Sequence, residues 1–202
     1  MADHQVTDVA ALEALYGQPG KASIIKVAPQ LTPLYRKWIM ASRLCVVSTV
    51  GPDGTDGSPR GDDGPVVQEL DAKTLLLPDW RGNNRMDTLR NIIVDGRVSL
   101  MFLVPGSNNV VRVNGRAVVS LDPDLLTGFQ QNGRQPRSVV VIKIAEVYSQ
   151  CARALMRAGI WAATDESADL PTVGDLLAEQ DTGFDAGQYD ADWGTRAAKT
   201  MW

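Results

Sequence analysis

Short runs of apolar residues, many of them alternating with polar ones, fill the middle of the chain, and this period of two is typical of β-strands. Turn signatures separate the runs, and one of them, Gly51-Pro52-Asp53-Gly54, predicts a hairpin. A β-bulge is expected near Asn114-Gly115. Six or seven antiparallel strands with few helices between them favour a closed or partly closed β-barrel over a doubly wound sheet. The predicted strands are Arg43–Val50, Thr55–Gly61, Val66–Leu70, Thr74–Leu77, Arg97–Val104, Val110–Ser120 and Arg137–Tyr148.

Helical patterns flank the strands and interrupt them once or twice. One helix is predicted from Val6 to Tyr16, ending near Gly17, and another from Thr32 to Ser42, with Thr32 as its cap. We divide the chain into a helical extension over residues 1–31, a barrel over residues 32–150 and a helical or irregular extension over residues 151–202. Further helices are predicted over Asn84–Val94, Asp122–Gln131, Gln150–Ala158 and from Leu170 through Leu177.

The turn Gly82-Asn83-Asn84-Arg85 has the features of a phosphate site. It lies where a helix is expected to begin, so Asn83 or Asn84 can cap that helix while free backbone N–H groups and the positive end of the helix dipole face a ligand. Arg85, together with Arg112 on a later strand, can supply forked and permanently charged donors to phosphate oxygens.

Composition excludes several classes of chemistry. The chain of 202 residues carries one histidine, His4, and two cysteines, so a catalytic triad, a Cys-His pair and a histidine-based metal centre are excluded, and we expect no metal. Cys45 and Cys151 lie in or beside apolar runs and are interpreted as buried structural thiols. There is no Walker-type loop and no Gly-x-Gly-x-x-Gly, so no motif supports a P-loop or a Rossmann nucleotide-binding fold.

Charge and hydropathy bear on partners and location. Nine acids and no Lys or Arg lie between Thr164 and Asp192, which predicts a solvated acidic face. The positive charge elsewhere is scattered rather than dense, so nucleic acid is not an expected ligand. No apolar run is long enough to cross a bilayer and no leader pattern opens the sequence, so a cytoplasmic protein without membrane contact is expected.

Several of these segments, in this order, resemble the pyridoxamine 5′-phosphate oxidase-like flavoproteins, and within them a bacterial subgroup with Gly-Asn-Asn-Arg and Arg-Val-Asn-Gly motifs. The similarity covers roughly Thr32 to Tyr148 and continues more weakly to Gln180. It implies a mainly β (α+β) split β-barrel of six or seven antiparallel strands that forms a homodimer, with FMN in two grooves at the interface. The C-terminal extension then packs on the barrel or on the dimer partner. The segments are Ser58–Asp62, Gly82–Ile92, Leu103–Gly106 and Arg112–Ala117.

The resemblance also implies which residues hold the cofactor. The hairpin, the turn, the connecting helix and the later strands would contribute flavin or phosphate contacts, and the contacts of the later strand could come from the other subunit. Pro78 and Asp79 would end the strand that lies along the edge of the isoalloxazine. The full set of cofactor-binding positions is Ser58, Arg60, Pro78, Asp79, Asn83, Asn84, Arg85, Asn91, Arg112 and Asn114.

Structural explanations compete with several of these assignments. Arg85 can be a solvated first-turn residue with Asn84 as a plain cap, and Ser58-Pro59-Arg60 can be an ordinary edge strand, where proline is tolerated. Arg112 can form a cross-strand ion pair with an acid such as Asp79. Asn91 can be a helix-surface residue. Core or interface packing is the competing interpretation for three tryptophans, Trp80, Trp161 and Trp193.

The resemblance implies an FMN-dependent oxidoreductase, in which the flavin carries the redox step on a small molecule. Family oxidases of vitamin B6 end in a basic segment with a histidine, whereas this C-terminal region is acidic and lacks histidine, which argues against B6 oxidation. The alternative is a barrel that binds another cofactor, a deazaflavin or haem, and the scarcity of histidine argues against haem. A third hypothesis is a structural dimer whose cofactor site has decayed.

Overall fold

The computed structural model describes residues 4–162 and 164–201. In this part of the chain seven strands form one antiparallel sheet in the order β2-β1-β5-β6-β7-β4-β3. Edge strands β2 and β3 are not hydrogen-bonded to each other, so the barrel is open on one side and the predicted split-barrel fold is confirmed. The strands are β1 (Leu44–Gly51), β2 (Gly54–Gly61), β3 (Gln68–Asp71), β4 (Thr74–Asp79), β5 (Arg97–Leu103), β6 (Val110–Ser120) and β7 (Ser138–Gln150).

The first hairpin follows the predicted turn. β1 pairs with β2 from Leu44 opposite Gly61 to Gly51 opposite Gly54, without a shift in register. Gly54 has a φ of 132°, a conformation that favours glycine, which explains its place in this tight connection. Alternation along β1 buries every second side chain and turns the others outward, so the period of two read from the sequence reflects one covered face.

The longest strand pair, β6 with β7, contains the expected bulge. Asn114 pairs with Glu146 and Gly115 pairs with Ile144, so the extra residue is Ala145 on β7. A Cβ on Gly115 would lie 2.1 Å from the carbonyl oxygen of Lys143, so only glycine allows the two backbones this approach. Before the bulge the even-numbered residues of β7 face the core, and after it the odd-numbered residues do.

Two apolar clusters lie on opposite faces of the β4–β7 pair. The main core fills the inside of the curved sheet, and the smaller cluster joins Leu76 and Val139 to Phe129 on the other face. This explains why the early part of β7 is continuously apolar, since both of its faces are covered there. The main core includes Ile39, Cys45, Val47, Leu75, Leu100, Phe102, Val113, Ile142 and Val147.

Helices surround the sheet, and α3 (Pro33–Ile39) begins at its predicted cap, Thr32. The side chain of Asp8 accepts hydrogen bonds at the start of α1, and that of Thr32 accepts one from the Tyr35 N–H at the start of α3. Helix α5 is shorter than predicted, because it ends at Thr127 rather than near Gln131. The helices are α1 (Val9–Tyr16), α2 (Lys21–Ile25), α3 (Pro33–Ile39), α4 (Asp87–Val94), α5 (Pro123–Thr127), α6 (Arg153–Ala158), α7 (Val173–Gln180), α8 (Ala186–Ala191) and α9 (Trp193–Thr200).

The two cysteines differ in environment. Cys45 is buried on β1, but Cys151 is exposed just after β7, so the prediction of a buried thiol is wrong for Cys151. The reason is that β7 has already left the core by Gln150, which is exposed. Among residues 4–162 and 164–201, no helix combines the length and the apolar character needed to cross a bilayer.

Candidate functional site

A cavity of about 1090 Å³ opens on the split side of the barrel, between β2, the end of β4 and the segment that leads into α4. This size lies near the upper end of the range for sites that hold small molecules or cofactors. Seven of the ten predicted cofactor-binding residues line it: Ser58, Arg60, Pro78, Asp79, Asn83, Asn84 and Arg85.

An ion pair joins the two sides of the cavity. The Arg60 Nη1 atom lies 2.5 Å from Asp79 Oδ1, and both side chains are largely buried. The Nε atom of Arg60 is buried and has no hydrogen-bond acceptor among the described residues. A buried guanidinium N–H without an acceptor is costly, so this atom is suited to an oxygen supplied by a ligand.

The turn before α4 differs from its prediction. Helix α4 begins at Asp87, its cap position is Met86, and no side chain caps it. The Asn83 side chain instead accepts a hydrogen bond from the Arg85 backbone N–H, at 3.0 Å, and forms a local turn. Asn84 has a φ of 63°, a conformation that asparagine tolerates better than most residues. The prediction that Asn83 or Asn84 caps the helix is therefore wrong.

Asp87 occupies the first turn of α4 and brings a negative charge to the positive end of the helix. The Nε of Arg85 lies 2.6 Å from Asp87 Oδ2, and this neighbouring carboxylate raises the pKa of the Arg85 guanidinium. Since the Arg85 side chain is 82% exposed, it corresponds closely to the solvated first-turn residue of the competing interpretation. The helix end is thus less available to an anion than the sequence indicated.

Two further arginines at the cavity were not singled out from the sequence. Arg81 and Arg137 line it, and within the described residues neither forms an ion pair. Arg137 Nη1 donates to Asn84 Oδ1 at 2.7 Å, which orients the guanidinium beside the turn. Both arginines lie next to the ends of two strands that pair with each other: Arg81 comes two residues after β4, and Arg137 immediately precedes β7.

The remaining wall of the cavity is mainly apolar. Val66 and Pro78 are buried there, and Leu89 of α4 and Val119 of β6 are partly buried. The cavity therefore has a region rich in arginine and a region of hydrocarbon, which suits a ligand with an anionic end and a flat apolar end. In the described part of the chain, no group of three His, Cys, Asp or Glu side chains is placed to hold a metal ion.

Three predicted residues lie away from the cavity. Asn91 Nδ2 donates to Thr49 Oγ1 at 3.1 Å and so joins α4 to β1. Arg112 stacks on Tyr148, with 5.5 Å to the ring centroid, and Asn114 donates to Glu146 Oε1 at 2.7 Å. Arg112 and Asn114 share the outward face of β6, because Val111 and Val113 face the core. The alternative ion pair between Arg112 and Asp79 is wrong, since Asp79 pairs with Arg60.

The three tryptophans have different surroundings. Trp80 Nε1 donates to Asp62 Oδ2 at 2.9 Å beside the cavity, and it also borders a smaller cavity of about 510 Å³. Trp161 Nε1 donates to the Ser107 carbonyl, at 2.8 Å, outside the large cavity. Trp193 of α9 is more than half exposed and lines the large cavity, as does Met201. Of the three, Trp80 and Trp193 lie at the large cavity, and Trp161 does not.

Burial affects the one thiol that lies near this region. Desolvation raises the pKa of Cys45 to about 12, and the nearby Arg60 charge opposes that rise. Arg60 is the residue opposite Cys45 in the β1–β2 register. The Cys45 side chain is therefore a neutral thiol over the physiological range and is not a nucleophile of the site.

Comparison with known proteins gives one family match. The family model described as pyridoxamine 5′-phosphate oxidase matches residues 31–151, which is more than half of the chain. A search of curated proteins gives no match.

Solved structures similar to this chain include three of different description. HupZ of Group A Streptococcus is 18% identical with a TM-score of 0.49, covering 59% of this chain and 93% of its own. An FMN-binding protein from Syntrophomonas wolfei is 13% identical with a TM-score of 0.43, covering 71% of this chain and 97% of its own. An F420 reductase is 16% identical with a TM-score of 0.41, covering 59% of this chain and 98% of its own.

Proposed function

Because the chain belongs to the pyridoxamine 5′-phosphate oxidase family, we propose that it binds FMN in the large cavity and serves as an FMN-dependent oxidoreductase for a small molecule. The observation that carries this proposal is the unsatisfied positive charge at one end of the cavity. Arg81 and Arg137 have no carboxylate partner in the described residues, and Arg60 holds a buried N–H without an acceptor. Guanidinium groups bind phosphate oxygens through short, charge-assisted hydrogen bonds.

The polar end would hold the flavin phosphate. Ser58 and Arg60 lie two residues apart on β2 and both line the cavity, while Arg137 stands beside Asn84 at the turn. A phosphate would give the Arg60 Nε atom an acceptor and would neutralise the two unpaired arginines. The Arg60–Asp79 pair keeps the guanidinium in position without a ligand, so little reorganisation is needed on binding.

The apolar end would cover the ring system. Val66, Pro78 and Leu89 present hydrocarbon at the cavity, and such surface favours a flat conjugated ring over a solvated polar group. When bound, FMN supplies hydride or electron transfer, and the residues of the chain bind and orient it. A phosphorylated vitamin B6 substrate is not proposed, since no histidine follows position 4 and residues 164–192 are acidic.

We also propose that two chains associate, with the outward cluster around Arg112 and Asn114 of one chain beside the cavity of the other. Two apolar side chains, Leu44 of β1 and Met101 of β5, are exposed on the same outer region of the sheet, and Met101 is opposite Arg112 in the β5–β6 register. An exposed apolar patch with a polar rim is typical of an association surface. In this arrangement Arg112 and Asn114, which lie outside the cavity of their own chain, can still contribute to a shared site.

The test is cofactor extraction followed by titration. Purified protein is denatured, the released chromophore is identified by mass and absorbance, and the apoprotein is titrated with FMN, riboflavin and an F420-type deazaflavin. We expect one FMN per chain and weaker binding of riboflavin, which lacks the phosphate. Colourless protein that takes up no FMN would contradict the proposal, and preferential uptake of the deazaflavin would favour the alternative cofactor. Light scattering measures the proposed dimer, and reduced nicotinamide tests whether the bound flavin accepts electrons.

A further inference from the structure

The C-terminal helix α9 contributes to the cavity from outside the region that the family match covers. The match ends at residue 151, whereas Trp193 and Met201 line the cavity next to the barrel residues. We propose that Trp193 contacts the substrate, and that the substrate is a planar ring compound. This inference rests on the proposed function, because it assigns the arginine-rich end of the cavity to the flavin phosphate.

The position of Trp193 is fixed by a stack of side chains. The guanidinium carbon of Arg196 lies 4.2 Å from the ring centroid of Tyr189 on α8 and 5.3 Å from that of Trp193. Trp193 and Arg196 are three residues apart, so they share one side of α9. Arg196 Nη2 is buried without a hydrogen-bond partner in the described residues, which indicates that stacking, more than hydrogen bonding, holds this end of the guanidinium.

Further contacts connect α9 to the barrel and to its neighbouring helices. Arg134 Nη1 donates to the Lys199 carbonyl at 2.9 Å, so the helix is joined directly to the segment before β7. Tyr189, which supports Arg196, packs on Phe184 with 5.3 Å between the ring centroids. A side chain supported in this way is suited to act as a wall of the site, because its orientation is set before a ligand arrives.

The exposed surface of Trp193 is available for contact with a ligand. The residue is 57% exposed although it lines a cavity, so much of its aromatic surface is left for a ligand to cover. Aromatic faces prefer stacked or edge-on contact with other rings, and such contacts contribute beyond simple burial. A planar substrate can occupy this surface while the flavin occupies the region between the arginines and Pro78.

The test measures binding of a planar uncharged probe, quinoline, to FMN-loaded protein by equilibrium dialysis at neutral pH. Trp193→Ala is expected to weaken quinoline binding about tenfold and Trp193→Phe less, while FMN affinity stays within about twofold of wild type. Trp161→Ala is the matched control, because that indole lies outside the cavity, and it should leave both affinities unchanged.

The outcomes separate this inference from the proposed function. Equal quinoline binding by wild type and Trp193→Ala, or no binding by wild type, would overturn the substrate assignment. Parallel loss of FMN and quinoline in a folded Trp193→Ala variant, with the same circular dichroism as wild type, would place Trp193 on the flavin and also overturn it. If wild type takes up no FMN, the proposed function fails, and quinoline binding by the apoprotein then decides: loss in Trp193→Ala supports the inference, and no loss overturns it.

Discussion

Arg60 and Asp79 form an ion pair across the open side of the barrel, with 2.5 Å between Nη1 and Oδ1. Four strands separate β2 from β4 in the sheet order, so the contact exists only because the sheet curves until its two ends approach each other. The pair therefore marks the split of the barrel, and the candidate cofactor cavity lies beside it.

Arg60→Ala is expected to weaken FMN binding by about ten- to a hundredfold, because a hydrogen-bonded charge is lost at the proposed phosphate end. It should also lower stability by about 1–3 kcal/mol, since Asp79 would remain largely buried without its partner. Fluorescence titration with FMN and denaturant unfolding measure the two effects. Arg36→Ala is the control, because Arg36 binds Glu69 away from the large cavity, and unchanged FMN affinity is expected there. Wild-type FMN affinity in Arg60→Ala would refute the phosphate role.

Arg137→Ala separates binding of the phosphate from binding of the ring. We expect FMN affinity to fall about tenfold and riboflavin affinity to stay constant, because only FMN carries the phosphate. The salt dependence of FMN binding should also decrease. Isothermal titration with both flavins provides the measurement, and Arg97→Ala serves as the control, since Arg97 pairs with Asp95 on the surface. Equal losses for the two flavins would show that Arg137 acts on the fold or on the ring instead.

Local signals in the sequence predicted much of the fold. The Thr32 cap and the Gly51–Gly54 turn act within a few residues, so they are visible in the sequence and present in the structure. Helices α8 and α9 were not predicted because Gly187 and Gly194 weaken their helical pattern. Side-chain stacking between the two helices, from Tyr189 to Arg196, is a tertiary contact that no local pattern reveals.

The site was predictable only in part, and for a similar reason. Ser58 and Arg60 share a strand face by simple alternation, so a pattern along one strand brings them both to the cavity. The same alternation on β6 turns Arg112 outward, which the resemblance alone did not reveal. Arg81 and Arg137 reach the cavity because β4 and β7 pair side by side, with Asp79 opposite Ser138. That proximity depends on the strand order, which short motifs do not encode.

Gly115→Ala is expected to destabilise the protein by about 1–3 kcal/mol, because the added Cβ would meet the Lys143 carbonyl oxygen at 2.1 Å. The β6–β7 bulge would have to open to make room. Thermal unfolding followed by circular dichroism measures the change. Gly57→Ala provides the matched control, since a Cβ at that strand position meets nothing within 4 Å. Equal melting temperatures for the two variants would contradict the close approach of the backbones.

The two cysteines should react very differently with a maleimide at neutral pH. Burial raises the pKa of Cys45 to about 12, so its thiolate is scarce and inaccessible, whereas Cys151 is exposed. Mass spectrometry should show one label per folded chain, located on Cys151, and two labels in denaturant. Rapid double labelling of the native protein would contradict the burial of Cys45.

The ionised carboxylate of Asp95 should stabilise the folded protein, and this stabilisation should be lost in acid. Hydrogen bonds from Arg97 lower the pKa of Asp95 from 3.8 to about 2, so the folded state favours the carboxylate. This stabilisation is fully present at pH values above the pKa that Asp95 has in the unfolded chain. It is lost as the pH falls through the lower pKa that Asp95 has in the folded protein. The melting temperatures of wild type and Asp95→Asn, measured from neutral pH downward, should differ by a constant amount that shrinks between about pH 4 and pH 2. A difference that stays constant across that window would exclude this linkage.

The strand order also bears on how the chain acquires its shape during synthesis. β4 has only two sheet neighbours, β3 and β7, and β7 lies some sixty residues later in the chain. A nascent chain that lacks β7 thus carries an isolated β3–β4 hairpin, and such hairpins are at best marginally stable in water. Emergence of β7 from the ribosome is therefore the step that joins the β3–β4 hairpin to the rest of the sheet, and the candidate cofactor cavity can form only after it.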